Sequence, residues 1–181
     1  MDIGTIIIII IIVIIIIIIL LALMKPDTFN VTRSVRIKAT RDIIFPYIND
    51  FKMWKMWSPY EKLDPEMKTT ITGELSGKGA KYTWEGNMKV GQGIMEIVES
   101  TPVRIFVDFK ITKPMVQHNM SEFTLAEEGE FTVVSWHMYG PSSMMSKLMQ
   151  VFVSMDKVTG KGLESGLANL KNVVETQVIS V

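Results

Sequence analysis

The chain has no cysteine, two histidines in 181 residues, and no excess of either charge: nineteen basic side chains face nineteen acidic ones. The first absence excludes disulfides and thiolate metal sites. The second leaves a zinc site dependent on carboxylates such as Glu122, and His118 and His137 read as surface or turn residues. Balanced charge supplies no net positive field, so no nucleic-acid partner is expected. Nucleophilic and phosphate-binding signatures are also missing: the serines fall in turns, and "SGKG" is too short for a phosphate-cradling loop. No cofactor and no metal is expected.

What the sequence has in excess is isoleucine. Residues 6–24, "IIIIIIIVIIIIIILLALM", hold thirteen of them and no polar side chain over nineteen positions. About 20 residues at 1.5 Å per residue cross a ~30 Å hydrocarbon layer. Isoleucine prefers strands in water, but in lipid an isolated segment satisfies its backbone only as a helix. A cleaved secretory signal would begin with basic residues and end with small ones. Here the flanks are "MDIGT" and "LLALMKP", so an uncleaved single-pass anchor over residues 1–25 is expected. Lys25, Arg33, Arg36, Lys38 and Arg41 follow the run, and the positive-inside bias places the remaining domain, residues 26–181, on the cytoplasmic side.

Those remaining residues suffice for one domain with a real core. "FNVTRSVRIKA" alternates apolar and polar positions and predicts a half-buried strand. "TRDIIFPYINDFKMWKMW" predicts a helical segment with Thr40 as N-cap, and Pro59 and Pro65 mark a long loop after it. Between Lys68 and Gly140, six short apolar stretches separated by Gly and Pro turns predict an antiparallel meander. From Ser143 onward, apolar residues at threes and fours predict one long amphipathic helix, which the glycines of "TGKG" bend. The fold class is therefore α+β, with a curved antiparallel sheet of about seven strands around a C-terminal helix. By parity, Tyr82, Trp84, Met95, Ile97, Ile105, Val107, Phe109, Phe123, Leu125, Val134, Trp136 and Met138 face that helix.

The ordered segments "NDFKMWKMWSPYEKLDP", "YTWEGNMKVGQGIMEI", "HNMSEFTL" and "WHMYGP" resemble the polyketide cyclase/dehydratase-like branch of the START-like (SRPBCC) superfamily over residues 29–175. The resemblance implies a helix-grip fold with a deep apolar cavity between sheet and helix. Its members include lipid carriers, hormone receptors, aromatase/cyclases and chaperone activators, so the fold alone does not choose a function.

The large apolar residues carry the expected site. Trp57, Tyr60, Tyr82, Trp84, Met95, Phe109, Phe123 and Trp136 are candidates for a wall that holds a greasy ligand by shape. Met145 and Met149 are candidates for a deformable entrance. Glu85, beside a tight turn, and Asp156, interrupting an apolar stretch, are candidates for a carboxylate that orients a polar head or moves a proton. For Asp156 a solvated position, paired with a neighbouring strand, is the competing expectation. The expected function is a membrane-anchored domain binding a hydrophobic small molecule or lipid. Its rivals are a cyclase/dehydratase-like enzyme and a protein-interaction module of the chaperone-activator kind. The sequence names no protein partner.

Overall fold

The computed structural model describes residues 2–61 and 63–179. Met1, Lys62, Ser180 and Val181, which belong to the two expected segments, lie outside them. The isoleucine run forms one helix, α1 (Ile3–Leu23), with Asp2 as N-cap accepting from the Thr5 amide. It is long and apolar enough to cross a membrane, and nearly all its side chains are exposed.

The domain follows as β1 (Thr28–Ile37), α2 (Arg41–Asn49), α3 (Trp54–Trp57), β2 (Lys68–Gly73), β3 (Ala80–Glu85), β4 (Gln92–Thr101), β5 (Arg104–Lys113), β6 (Gln117–Glu128), β7 (Phe131–Pro141), α4 (Met144–Phe152) and α5 (Met155–Ile179). The strands make one seven-stranded antiparallel sheet in the order β1-β7-β6-β5-β4-β3-β2. Every strand from β2 to β7 pairs with its sequence neighbour, and only β1 crosses to the far edge, beside β7. This is the expected helix-grip arrangement: a curved sheet with α5 laid across its inner face.

The alternating pattern sets which face is inner, because successive side chains in a strand point to opposite sides. Ile97, Ile105, Val107, Phe123, Leu125 and Val134 are at most 2% exposed. They meet Leu163, Leu167, Leu170 and Val174 of α5, with Ile44, Ile48 and Phe51 closing the same core. The outer face is laced instead with ion pairs such as Lys81–Glu96 and Arg104–Glu99.

Three expectations change at element level. The first helical segment is two helices, because the chain turns at Phe51–Met53. Thr40 occupies the N-cap position of α2, but its side chain makes no capping bond. The C-terminal helix is also two. It breaks at Val153–Ser154, where Val153 is extended (φ −138°, ψ 129°) and Ser154 accepts from the Lys157 amide to start α5. The glycines of "TGKG" do not break it. Gly160, and Gly166 further along, let α5 approach its neighbours, since a Cβ would sit 2.2 Å from Arg33 Nη2 and 2.7 Å from Trp136 respectively.

The basic residues after the isoleucine run are mostly structural. Arg33 pairs with Asp156 and Glu164, Arg36 with Glu128, Lys38 with Glu130 and Arg41 with Glu127. Lys25 alone of the five has no part in those pairs.

Candidate functional site

A cavity of about 290 Å³ lies between the inner face of the sheet, the loop after α3, and the first turns of α5. It sits at one end of the sheet, where β1 begins, β7 ends, and the β3–β4 and β5–β6 loops turn. At the other end the core is filled. The difference follows from α5. Leu163 onward supplies large apolar side chains to the core, whereas the first two turns present Met155, Val158 and Thr159 to the space and then the small Gly160 and Gly162.

Most of the lining is apolar and aromatic. Trp84 stacks on Phe109 with ring centroids 5.5 Å apart, and its indole N–H donates to the Val90 carbonyl at 3.0 Å. Gly93 makes this possible, because a Cβ there would fall 2.2 Å from the Trp84 ring. Phe29, Met95, Met138 and Trp136 extend the wall. One stripe is polar: Gln117, Asn119 and Ser121 alternate along β6 and all face the cavity. The Ser121 hydroxyl accepts from the Trp136 indole N–H at 2.6 Å, which leaves its own proton free to donate. Asn119 is 4% exposed, and its Oδ1 has no hydrogen-bond partner. An unmatched buried acceptor costs about 1–3 kcal/mol, so it is a position where a bound molecule's donor would repay the desolvation.

Across the space, the Tyr82 hydroxyl donates to Glu61 Oε1 at 2.8 Å. Burial first, and the Glu61 carboxylate second, push the Tyr82 phenol far above its usual range, so it stays a protonated donor at neutral pH. Tyr60 is 39% exposed, yet it lines the cavity and its hydroxyl end lies against Gly162 of α5. Part of its exposed area therefore faces the cavity, and the atoms crowded about it raise its pKa too. The rim is fixed by Asp64, whose carboxylate accepts from the Asn87 amide at 2.6 Å and the Glu66 amide at 3.2 Å, holding the β3–β4 turn to the loop before β2.

Of the residues singled out in the sequence, Tyr60, Tyr82, Trp84, Met95, Phe109 and Trp136 come together on this cavity. The others lie elsewhere. Trp57 is 1% exposed in the core, where its N–H donates to the Tyr47 carbonyl at 2.8 Å. Phe123 is fully buried and stacks on Trp136. Glu85 is on the outer face by strand parity and accepts from Gln92 at 2.8 Å. Met145 and Met149 are exposed on α4. Asp156 takes the competing position: it is solvent-facing and held by both terminal nitrogens of Arg33 at 2.9 Å, and this guanidinium keeps its carboxyl below the ordinary value. His137 is likewise outside, bonded to Asn30, while His118 pairs with Asp108. Among the described residues no three His, Asp or Glu side chains converge as a metal site. The polar stripe escaped the sequence reading, although parity with Phe123 and Leu125 assigns 117, 119 and 121 to the inner face.

The family model described as "polyketide cyclase / dehydrase and lipid transport" matches residues 28–175. The chain belongs to this family. The match covers the whole sheet and most of α5, and leaves α1 outside it. No protein with curated function matches the sequence significantly. Among solved structures, a protein from Chromobacterium violaceum is similar at 14% identity and TM-score 0.57, covering 83% of this chain and 99% of that one. An Aha1 dimer from Colwellia psychrerythraea is similar at 16% and 0.54, over 81% and 96%. DynU16, from the dynemicin biosynthetic locus, is similar at 15% and 0.56, over 84% of this chain and 49% of that one. At such identities the likeness is one of fold, and function must be argued from the site.

Proposed function

We propose that this family member is tethered to a membrane by α1 and holds a hydrophobic, lipid-like small molecule between its sheet and α5. The molecule is apolar over most of its surface and carries one hydrogen-bonding group. The observation that carries this reading is the cavity's aromatic and thioether wall set against the polar stripe of β6, with the Asn119 acceptor unmatched. Burying roughly 300 Å² of ligand apolar surface at about 25 cal/mol per Å² gives roughly 7 kcal/mol before the costs of association. A donor on the ligand would meet Asn119 Oδ1, and an acceptor would meet the Ser121 hydroxyl.

The two carboxylates expected to move protons, Glu85 and Asp156, lie outside the cavity, and the carboxylate that lines it, Glu61, is engaged by the Tyr82 hydroxyl. The tether is read from nineteen uninterrupted apolar residues that match one bilayer crossing. It raises the effective concentration of any ligand dissolved in that bilayer. Lys25 at the end of the run favours the cytoplasmic side for the domain.

Native mass spectrometry of the full chain, released from its membrane in mild detergent, tests the reading. A single lipid-like adduct, lost on organic extraction, is the expected result. A bare mass from every preparation, together with no uptake of added fatty acids, phospholipids or isoprenoids, would contradict it.

A further inference from the structure

Among the outer elements, α4 has an unusual surface. Met145 (52% exposed), Met149 (50%) and Phe152 (72%) recur at four and three residues and so share one helix face, which Met144 and Val153 widen. The polar residue Lys147 lies on the opposite side, where its ammonium pairs with Asp27 at 2.5 Å. An amphipathic helix with large apolar side chains outward must be covered by something.

What lies against α4 indicates the cover. Its neighbour is α1, and the burial on α1 is confined to the last two turns, with Ala22 fully buried and Ile18 half-buried while the other isoleucines stay exposed. Two turns rise about 11 Å. The start of α4 is further pinned to the chain leaving α1, because the Ser142 amide donates to the Asp27 carbonyl at 2.7 Å. Helix α4 thus stands beside α1, near the carboxyl end of the apolar run. That is the depth, about 5–10 Å into the headgroup and acyl boundary, at which interfacial helices lie.

The cavity opens at this same end. Met88, at the tip of the β3–β4 loop, is 89% exposed, and Val116, in the β5–β6 loop, is 81% exposed. Each stands one residue from a cavity-lining side chain, Lys89 and Gln117. Met155 and Val158, which line the remaining side, follow directly after α4. Met88, Val116, Met155 and Val158 therefore stand at this end of the cavity beside the Lys89 cation.

We infer that α4, with the loop tips at Met88 and Val116, seats on a phospholipid bilayer, so that the cavity opens into the interface of the membrane that α1 crosses. This rests on the reading of α1 as a tether, and the outward face of α4 is the independent observation. A lipophilic ligand would then pass between bilayer and cavity without entering bulk water.

The absence of cysteine makes the test direct. Met149→Cys, Phe152→Cys and Leu75→Cys, the last in the β2–β3 turn at the opposite end of the sheet and 75% exposed, each carry an environment-sensitive fluorophore on the full chain in phosphatidylcholine/phosphatidylglycerol vesicles. After flotation, the labels at 149 and 152 are expected to be quenched by lipids brominated on their acyl chains and to be several-fold less sensitive to aqueous iodide than the label at 75. Floating protein whose labels at 149 and 152 meet iodide as freely as the one at 75 overturns the seat while leaving the tether intact. Labels shielded from both quenchers overturn it in favour of a protein partner, including a second copy of the chain. Protein that fails to float removes tether and seat together, whereas a missing adduct in mass spectrometry would leave the quenching result standing.

Discussion

At the scale of single residues, two positions on the cavity wall separate packing from recognition. Gly93 is there for packing: a methyl group would drive into the Trp84 ring and within 2.3 Å of the Lys110 carbonyl oxygen. Gly93→Ala is expected to lower unfolding stability by about 1–3 kcal/mol, the range for overpacked sites, and to shift Trp84 fluorescence; unchanged denaturant midpoint and emission would refute the argument. Asn119 is the opposite case, since its buried Oδ1 has no partner. Asn119→Ala is expected to leave the ligand-free chain no less stable, yet to weaken ligand binding by about 1 kcal/mol, roughly fivefold in Kd. Titration of the copurifying adduct's binding checks this, and a destabilised empty protein with unaltered Kd would show Asn119 to be structural. The aromatic wall was readable from the sequence because alternation gives every second residue of a strand to the same face. Asn119 and Ser121 obey that alternation as strictly as Phe123, but polar type argued against an inner position and hid them.

At the scale of elements, the antiparallel succession from β2 to β7 follows from glycine and proline turns between alternating runs, whereas the place of β1 beside β7 does not. The helices were less legible. Apolar spacing runs on through Val153 and Ser154, so periodicity alone joins α4 to α5. The break is a local matter of Ser154, whose hydroxyl satisfies the Lys157 amide, with Asp156 in the first turn as a favourable charge near the amino end. Asp156 and Glu164, two turns apart on α5, both clasp Arg33 of β1, at 2.9 Å and 2.5 Å. Because Arg33 holds the Asp156 carboxyl below its ordinary 3.8, the ionised form is favoured in the folded state. Its stabilising contribution is complete above that ordinary value and is lost as pH falls through the lowered one. Asp156→Asn is thus expected to lower Tm at pH 7 in detergent solution, with the gap to wild type closing below pH 3.8. A gap that persists in acid would mean that the loss is one of packing rather than charge.

At the scale of the whole molecule, the features converge on one end. The helix long enough to cross a membrane, the outward apolar face of α4, the cavity mouth and the unmatched Asn119 acceptor all lie where β1 begins and β7 ends. Composition alone could announce the first of these, since thirteen isoleucines need no structure to be noticed. Their common placement was not legible, because it depends on the parity of seven antiparallel strands and on where one helix gives way to another. Whether the space holds a lipid-like guest is read by energy transfer from the cavity tryptophans to a fluorescent fatty acid titrated into the full chain. Saturable one-to-one transfer, abolished when Thr159→Phe fills the space and retained when Val98→Phe alters the outer face, is expected. Transfer that is absent, or that survives Thr159→Phe unchanged, would contradict it.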